Sequence, residues 1–568
     1  MRPKQPLSLG DGLRHPGPWH PLTELAVGVT LAALIVPLNI GYAQAVGLPP
    51  EIGLYAGLAP VIVFALTSSS RHLMIGPGAS VAALLGAGLA PLAAPGTEHY
   101  VDLALATALL CGALFLVFGI LRLGGLVRYL SKAVLVGFVG GLATAVLTGQ
   151  LAVMLGVRVG GGGQRWVGTI TDLVQELPDS QLHTAVVGFG TVALVLVLRH
   201  FWPAVPGSLV ALVLFTMLCA HTGLGDGVAR VPSFEGGAPS VGIPHVSRSE
   251  WVDLIPVALA ISALGLAEGL MLARTYARRH GEAEDPDQDA GALGLANLAA
   301  GLTSAMPVGS SSSRTASVDA GGGTGQASAL IGAGIVVIVI LGFSDVIGKL
   351  PAAALAGIVA AALLSLVGVP ELVELYRLRP AEFVIAVTTF AGVLVLGPLR
   401  AVVLAVIISA FDVVRRASHP PSGLLGPDTS QSDALMRYTR SGLPRMASLP
   451  GLVIYRFAGA MFYANADAMT GEVADIVAST AELEWFVLDA EAVVDIDPTA
   501  ADALADIEAM VTAAGARFGV TRATEPTKHL LDHYGITPDE DMVFVSNRHA
   551  VAAYRALHAG RGSSAEAG

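Results

Sequence analysis

Apolar stretches separated by short polar breaks fill the chain from about residue 22 to 416. They fall at roughly 22–46, 53–68, 76–92, 102–121, 130–156, 184–200, 205–221, 252–276, 290–305, 314–325, 327–344, 351–368, 382–396 and 398–415. A helix needs about 20 apolar residues to cross the hydrocarbon of a bilayer. The longer stretches therefore predict full spans, and the shorter ones half-spans or tilted pieces. The pattern predicts an α-helical membrane protein of about fourteen transmembrane segments over 22–416. Three stretches are broken. Pro37 interrupts the first, Gly76-Pro77-Gly78 heads the third, and MPVGSSSSRTAS (306–317) heads the tenth. The third and tenth occupy corresponding places in two sets of seven. Short, Gly/Pro-interrupted segments at matching places point to a transporter's binding site. Irregular backbone at membrane depth survives only where it is buried in protein or lines a wet cavity.

After Arg416 the pattern changes. SHPPSGLLGPDTSQSDAL lies in the stretch read as a linker, 417–436. Strands are then expected at 451–457, 484–490, 517–523 and 542–547, and helices at 465–479, 499–515 and 549–559. This predicts a small α/β domain over 437–560. Residues 1–21 form a polar, Pro-rich N-terminal segment and 561–568 a disordered tail. The first apolar run is too long for a signal peptide and is expected to be a span.

Composition sharpens the class. The 568 residues are 53% hydrophobic and only 13% charged, with a mean hydropathy of +0.67. Soluble proteins carry about 25% charged residues, so an ordinary cytosolic enzyme, a disordered chain and a nucleic-acid binder are excluded. Positions 1–416 hold 22 basic and 24 acidic residues, whereas 417–568 hold 10 and 20. An acidic, soluble-looking unit thus follows a nearly neutral apolar one, which gives no reason to expect a nucleic-acid partner. With the N-terminus inside, fifteen basic residues fall in inside loops, among them Arg2, Lys4, Arg14, Arg128, Arg278 and Arg279. The outside loops hold six, including Arg158 and Arg165. This bias predicts an even span number, a cytoplasmic N-terminus and a cytoplasmic C-terminal domain on a multi-pass protein of the cell (inner) membrane. Cys111 and Cys219 sit in apolar runs and predict no disulfide framework.

Candidate chemistry centres on the two breaks. Two half-helices aiming their N-termini at one spot would bind an anion through unpaired N–H groups and the positive dipole ends. Ala79 and Ser80 begin the third segment, and Ser312, Ser313 and Arg314 the tenth. A guanidinium in an apolar segment must face a partner, a cavity or the interface. Glu268 is the only charge in LIPVALAISALGLAEGLMLA (254–273). It is a candidate proton carrier, a Na⁺ ligand or a partner for Arg314. Asp319 and Gln326 flank GGGTG (321–325), which lacks the strand and Lys of a phosphate loop and is expected to serve helix packing. In the C-terminal unit Asp497 and Pro498 predict a helix start, with Thr499 exposed in its first turn as a possible phosphorylation site. His72, His99, His200 and His280 lack ligand spacing, so neither a metal nor a cofactor is expected, and no nucleophile–base pair suggests an enzyme.

These residues resemble the sulfate permease (SulP, solute carrier 26) anion transporters. The likeness is carried by GLPPEIGLY (47–55), SSRHLMIGP (69–77), AEGLMLAR (267–274), ALGLANLAAG (292–301) and PVGSSSSRTAS (307–317). LDAEAVVDIDPTA (488–500) is similar to the core of the STAS domain that follows them. The resemblance implies a seven-plus-seven inverted repeat with core and gate domains, and a homodimer. It places the anion between the third and tenth segments, beside Tyr42, Ala79, Ser313 and Arg314. It also matches Glu268 to an acidic residue used for proton coupling in proton-driven members. Leu38-Asn39 stand where relatives place Gln after the proline, which loses a polar contact near the anion or shifts it to Asn39. The expectation is alternating-access symport of an oxyanion with a proton: sulfate first, bicarbonate or a dicarboxylate next. The alternatives are an uncoupled anion channel or exchanger, and a nucleobase permease of the same fold.

Overall fold

The computed structural model describes residues 10, 13, 20–122, 132–157, 166–202, 205–234, 236–426, 437–439, 449–536 and 538–565. Arg2, Lys4, Arg14, Arg128, Arg158, Arg165, residues 427–436 of the expected linker and residues 566–568 lie outside them. The chain divides into two units, Met1–Ser409 and Ala410–Gly568.

The first unit is helical. In chain order it runs α1 (Pro21–Val46), α2 (Pro50–Tyr55), α3 (Ala59–Thr67), β1 (Ile75–Gly76), α4 (Ala79–Leu89), α5 (Glu98–Ile120), α6 (Lys132–Leu155), α7 (Trp166–Gln175), α8 (Leu182–Phe201) and α9 (Gly207–His221). It continues with α10 (Arg248–His280), α11 (Pro286–Leu302), β2 (Gly309–Ser310), α12 (Ser312–Ala320), α13 (Ala327–Gly342), α14 (Ser344–Ile347), α15 (Ala352–Leu364), α16 (Val369–Leu378), α17 (Pro380–Leu396) and α18 (Pro398–Ser418). Every one of the fourteen apolar stretches holds a helix, a helix pair or a strand followed by a helix. Among the described residues, seven stretches are long and apolar enough to cross a membrane, and four further apolar helices have 10–17 residues. At 1.5 Å per residue, the 11-residue α4 covers about 16 Å, roughly half of a ~30 Å hydrocarbon core. The sequence did not foresee α7 and α16, which are short and amphipathic.

Local chemistry sets the boundaries. Ser247 and Glu250 form a reciprocal capping box at the start of α10, which ends on a left-handed Gly281. Thr97 caps α5, and Asp285 caps α11. In lipid the hydrophobic effect does not press helices together, so close van der Waals packing must. Small residues allow it: a Cβ on Gly112 would lie 2.7 Å from the Leu298 nitrogen, and one on Gly294 would lie 2.8 Å from that of Leu116. These contacts join α5 to α11. The GGGTG run packs as expected, with Gly321 and Gly323 against Val27 of α1. One packing group contains α1, α3, α4, α5, α10, α11, α12 and α13. A second contains α6, α8, α9, α15 and α17, and α1 and α4 also touch members of it.

The second unit has a six-stranded sheet. Its strands are β3 (Ser422–Gly426), β4 (Arg437–Thr439), β5 (Leu452–Phe457), β6 (Trp485–Asp489), β7 (Arg517–Thr521) and β8 (Val543–Phe544). Their order is β4-β3-β5-β6-β7-β8. β5 to β8 are parallel, whereas β3 pairs antiparallel with β4 and β5. The helices are α19 (Ala466–Ser479), α20 (Pro498–Ala513), α21 (Glu525–His533) and α22 (Asn547–Ala565). Parallel neighbours need such crossovers. Tyr455, Phe486 and Leu488 pack on one face of the sheet with Val473 and Leu504, while Ile454, Trp485 and Val487 pack on the other with Tyr554. The structure differs from expectation inside the segment read as a linker, where β3 extends the sheet. GLL alternates too briefly to announce a strand alone, and its pairing with β5 decides it. α22 also continues to Ala565, into the segment read as a tail.

Candidate functional site

The two backbone breaks meet. β1 and β2 form a two-stranded antiparallel bridge, with Ile75 opposite Ser310 and Gly76 opposite Gly309. The Ser311 N–H donates to the Met74 carbonyl at 2.9 Å, and the Met74 N–H donates to Thr315 Oγ1 at 3.0 Å. These bonds satisfy backbone groups that would otherwise be orphaned at membrane depth. Each strand leads into a short helix. Neither the N-cap of α4, Gly78, nor that of α12, Ser311, closes its helix with a side-chain bond. First-turn N–H groups of both helices are therefore left for other acceptors.

Both helix starts line a cavity of about 350 Å³, together with Leu38, Tyr42 and Glu268. Tyr42, Ala79, Ser80, Ser312, Ser313 and Arg314 all contribute to its wall. A wider cavity of about 870 Å³ shares Tyr42, Ser312 and Ser313 and reaches Arg199, Tyr276 and Gly321. Ser80 Oγ donates to Glu268 Oε2 at 3.2 Å, so the α10 carboxylate touches the first turn of α4.

Arg314 is only 1% exposed. Its Nη1 donates to the Ile75 carbonyl at 3.1 Å, and its Nη2 donates to Asn39 Oδ1 at 2.5 Å and to the Pro77 carbonyl at 3.2 Å. Its Nε has no partner. All three acceptors are neutral, and among the described residues no carboxylate lies within ion-pair distance of it. Glu268 is therefore not its counter-ion. A buried charge without an opposite partner is costly, and this one leaves a positive field beside two positive helix ends. Gly76 makes room for it: a Cβ there would lie 1.4 Å from Arg314 Nη1.

Asn39 is not on the cavity wall. It is fully buried, and its Nδ2 donates to the Gly53 carbonyl at 2.9 Å while its Oδ1 receives Arg314. It holds the guanidinium from behind. In the second unit, Asp497 caps α20 through the Ala500 N–H at 2.8 Å, and Thr499 is exposed.

Several supporting residues escaped the sequence reading. Asp289 is buried and accepts from Ser68 Oγ, Ser69 N, Ser69 Oγ and Ser70 N at 2.8–3.1 Å. Gln326 Nε2 donates to the carbonyls of Ser70, Arg71 and Leu73. Together they pin the loop that enters β1. Glu24 Oε1 accepts from Thr324 N at 2.7 Å, fixing the segment after α12 to α1. A polar residue bordering an apolar stretch was the available signal, but its partner lay more than 200 positions away. The histidines are not all scattered either. His72 and His280 stack with ring centroids 4.1 Å apart, and His280 Nε2 lies 2.6 Å from Asp319. His99 instead pairs with Glu250 at 2.7 Å.

The profile of the sulfate permease family matches residues 22–389, and that of the STAS domain matches 444–549. A probable sulfate transporter of Mycobacterium tuberculosis is 35% identical over 542 residues, covering 94% of this chain and 95% of its own. Sulfate transporter 2.1 of Arabidopsis thaliana is 27% identical over 90% of this chain and 79% of its own. The inward-facing structure of murine solute carrier 26 family member A9, an anion transporter, superimposes with a TM-score of 0.84 at 19% identity, covering 95% and 92% of the two chains. The transmembrane domain of BicA, a cyanobacterial bicarbonate transporter, superimposes with a TM-score of 0.61 at 22% identity, covering 68% of this chain and 97% of that one. The fold and its paired half-helices are those of a multi-pass membrane transporter, not of an enzyme. The chain belongs to the sulfate permease family and carries a C-terminal STAS domain.

Proposed function

We propose that this protein is a secondary active transporter of a small oxyanion, with sulfate as the first candidate and bicarbonate or a dicarboxylate next. One observation carries the reading: two helix N-termini without side-chain caps open onto one cavity, beside a buried guanidinium that has no counter-charge among the described residues. Backbone N–H groups of α4 and α12, with the hydroxyls of Tyr42, Ser80, Ser312 and Ser313, replace the anion's water. Arg314 supplies positive charge from behind the β1–β2 bridge, held by Asn39. The sequence relatives named for sulfate support the substrate.

Glu268 is the coupling group in this reading. An ionised carboxylate facing the same cavity repels an anion, so a proton on Glu268 favours anion binding and travels with it. A Na⁺ ion at Glu268 would do the same work. The packing group carrying both half-helices moves against the other to alternate access. Basic residues mark the end of the wider cavity reached by Arg199 as cytoplasmic, which makes this conformation inward-open. The STAS domain is then cytoplasmic, the assembly is a homodimer, and Thr499 is exposed for modification.

The test is labelled sulfate uptake into proteoliposomes, with and without an inward proton gradient, for wild type and Glu268→Gln. Gradient-driven uptake that the mutation abolishes supports symport. Uptake indifferent to gradient and mutation sinks the coupling and leaves exchange or a channel. Uptake suppressed by uracil would favour a nucleobase permease.

A further inference from the structure

We propose that His72, His280 and Asp319 form a site for one divalent transition-metal ion, Zn²⁺ by ligand type. Their ligand atoms lie within 4.8 Å of one another, although 208 and 39 positions separate them along the chain. His280 ends α10, Asp319 sits in the last turn of α12, and His72 lies in the loop entering β1. The three segments are those that carry Glu268, the Ser312–Arg314 helix start and the third-segment break. A bound ion would join them at the ends away from the anion cavity.

A second observation points to a ligand. His72 is 4% exposed, and its Nδ1 is buried without a hydrogen-bond partner. Its Nε2 lies 3.7 Å from Glu282 Oε1, too far to bond. A buried imidazole left in this state costs about 1–3 kcal/mol, and metal coordination removes that cost. Two imidazoles and a carboxylate are a familiar Zn²⁺ donor set, with bonds of about 2.0–2.2 Å. Two ligand atoms on one tetrahedral ion are thus about 3.3–3.6 Å apart, so the widest pair must close by roughly 1 Å or more. His280 has the freedom to do this, since its side chain is 35% exposed. Its ring must turn from its stack on His72 to aim a nitrogen at the ion.

The charges accommodate a dication. Asp319 now pairs with Arg279 at 2.7 Å, and Glu282 with Arg71 at 3.1 Å. The Arg279 side chain is 66% exposed and swings into water when the ion takes Asp319. Glu282 lies near enough to serve as the fourth donor. With both carboxylates the ion is electrically neutralised, which a buried site requires.

The experiment uses the purified full chain in detergent, stripped with a chelator and titrated with Co²⁺ as an optical probe, then with Zn²⁺. The expected result is one equivalent of Co²⁺ with tetrahedral d–d absorption, displaced by Zn²⁺, and a Zn²⁺-dependent rise in the unfolding temperature. His280→Gln, at a side chain 35% exposed, and Asp319→Asn should each weaken binding by on the order of tenfold or more and lose the thermal shift. His99→Gln, at the separate His99–Glu250 pair, should bind as wild type does. No d–d absorption, wild-type binding in both site variants, or loss of binding in His99→Gln would each overturn the proposal. The readouts do not depend on which anion is carried or whether transport is coupled.

Discussion

Asn39 and Arg314 lie 275 positions apart in the chain, yet the Asn39 side-chain Oδ1 accepts from the Arg314 guanidinium at 2.5 Å. The contact ties the first span to the start of the tenth segment, and the same guanidinium reaches two carbonyls of the third. Arg314 therefore acts as a clamp on three segments as well as a source of charge. An Arg fork can meet several acceptors at once, whereas a Lys ammonium is a point donor. Arg314→Lys is predicted to lower the unfolding temperature and to cut anion uptake by more than tenfold. Each carbonyl left unpaired costs about 1–3 kcal/mol. Wild-type stability with wild-type uptake would show that the clamp is dispensable and only the charge matters.

Gly76→Ala should copy that phenotype without touching a charge. The added methyl would occupy the place of Arg314 Nη1, so the guanidinium must leave its carbonyls. Uptake in Gly76→Ala vesicles checks this, and near-normal transport would contradict the close approach of β1 to Arg314.

Glu268 and Ser80 give a graded pair. Glu268→Gln retains a hydrogen-bond acceptor for Ser80 but cannot exchange a proton, so the fold should hold while the gradient response disappears. Ser80→Ala removes a single hydrogen bond worth about 0.5–1.5 kcal/mol and should shift the pH dependence of uptake while leaving transport in place. Uptake measured against external pH for both variants tests the order of severity.

Asp289 is a stability prediction away from the cavity. Asp289→Ala leaves donors of Ser68, Ser69 and Ser70 without their acceptor. Thermal unfolding should show a loss of several kcal/mol, on the scale of about 1–3 kcal/mol per orphaned group. Asp289→Asn, which keeps one acceptor oxygen, should lose less.

In the STAS domain Asp489 is fully buried and receives Arg522, with Nε at 3.0 Å and Nη2 also bonded, and Asn547 Nδ2 at 3.3 Å. Arg522→Ala would strand a buried carboxylate, at a cost of about 3–5 kcal/mol. The expected outcome is early unfolding of this domain in the full chain, read by protease sensitivity around it. Unchanged sensitivity would mean that Asn547 and the backbone suffice.

Much of this was legible in the chain. Apolar length gave the helical stretches, because lipid demands satisfied backbone and about 20 apolar residues per crossing. Gly, Pro and Ser at two matching places gave the half-helix starts, because backbone that leaves a helix in a membrane must line something. The parallel strands β5 and β6 showed as apolar runs buried on both faces. Other features needed the fold. Asn39 reads as a cavity residue and proves to hold Arg314 from behind, since a spacing of 275 positions carries no sign of contact. Glu268 reads as a possible partner for Arg314, but α10 delivers it to Ser80. β3 is a strand only because β5 offers an open edge. His72, His280 and Asp319 are unremarkable apart and become a cluster only when three helix and loop ends converge. Sequence determined which segments are long apolar helices and where they break, through local hydropathy and backbone chemistry. Tertiary structure alone decided which buried polar groups meet, because those pairings join residues hundreds of positions apart.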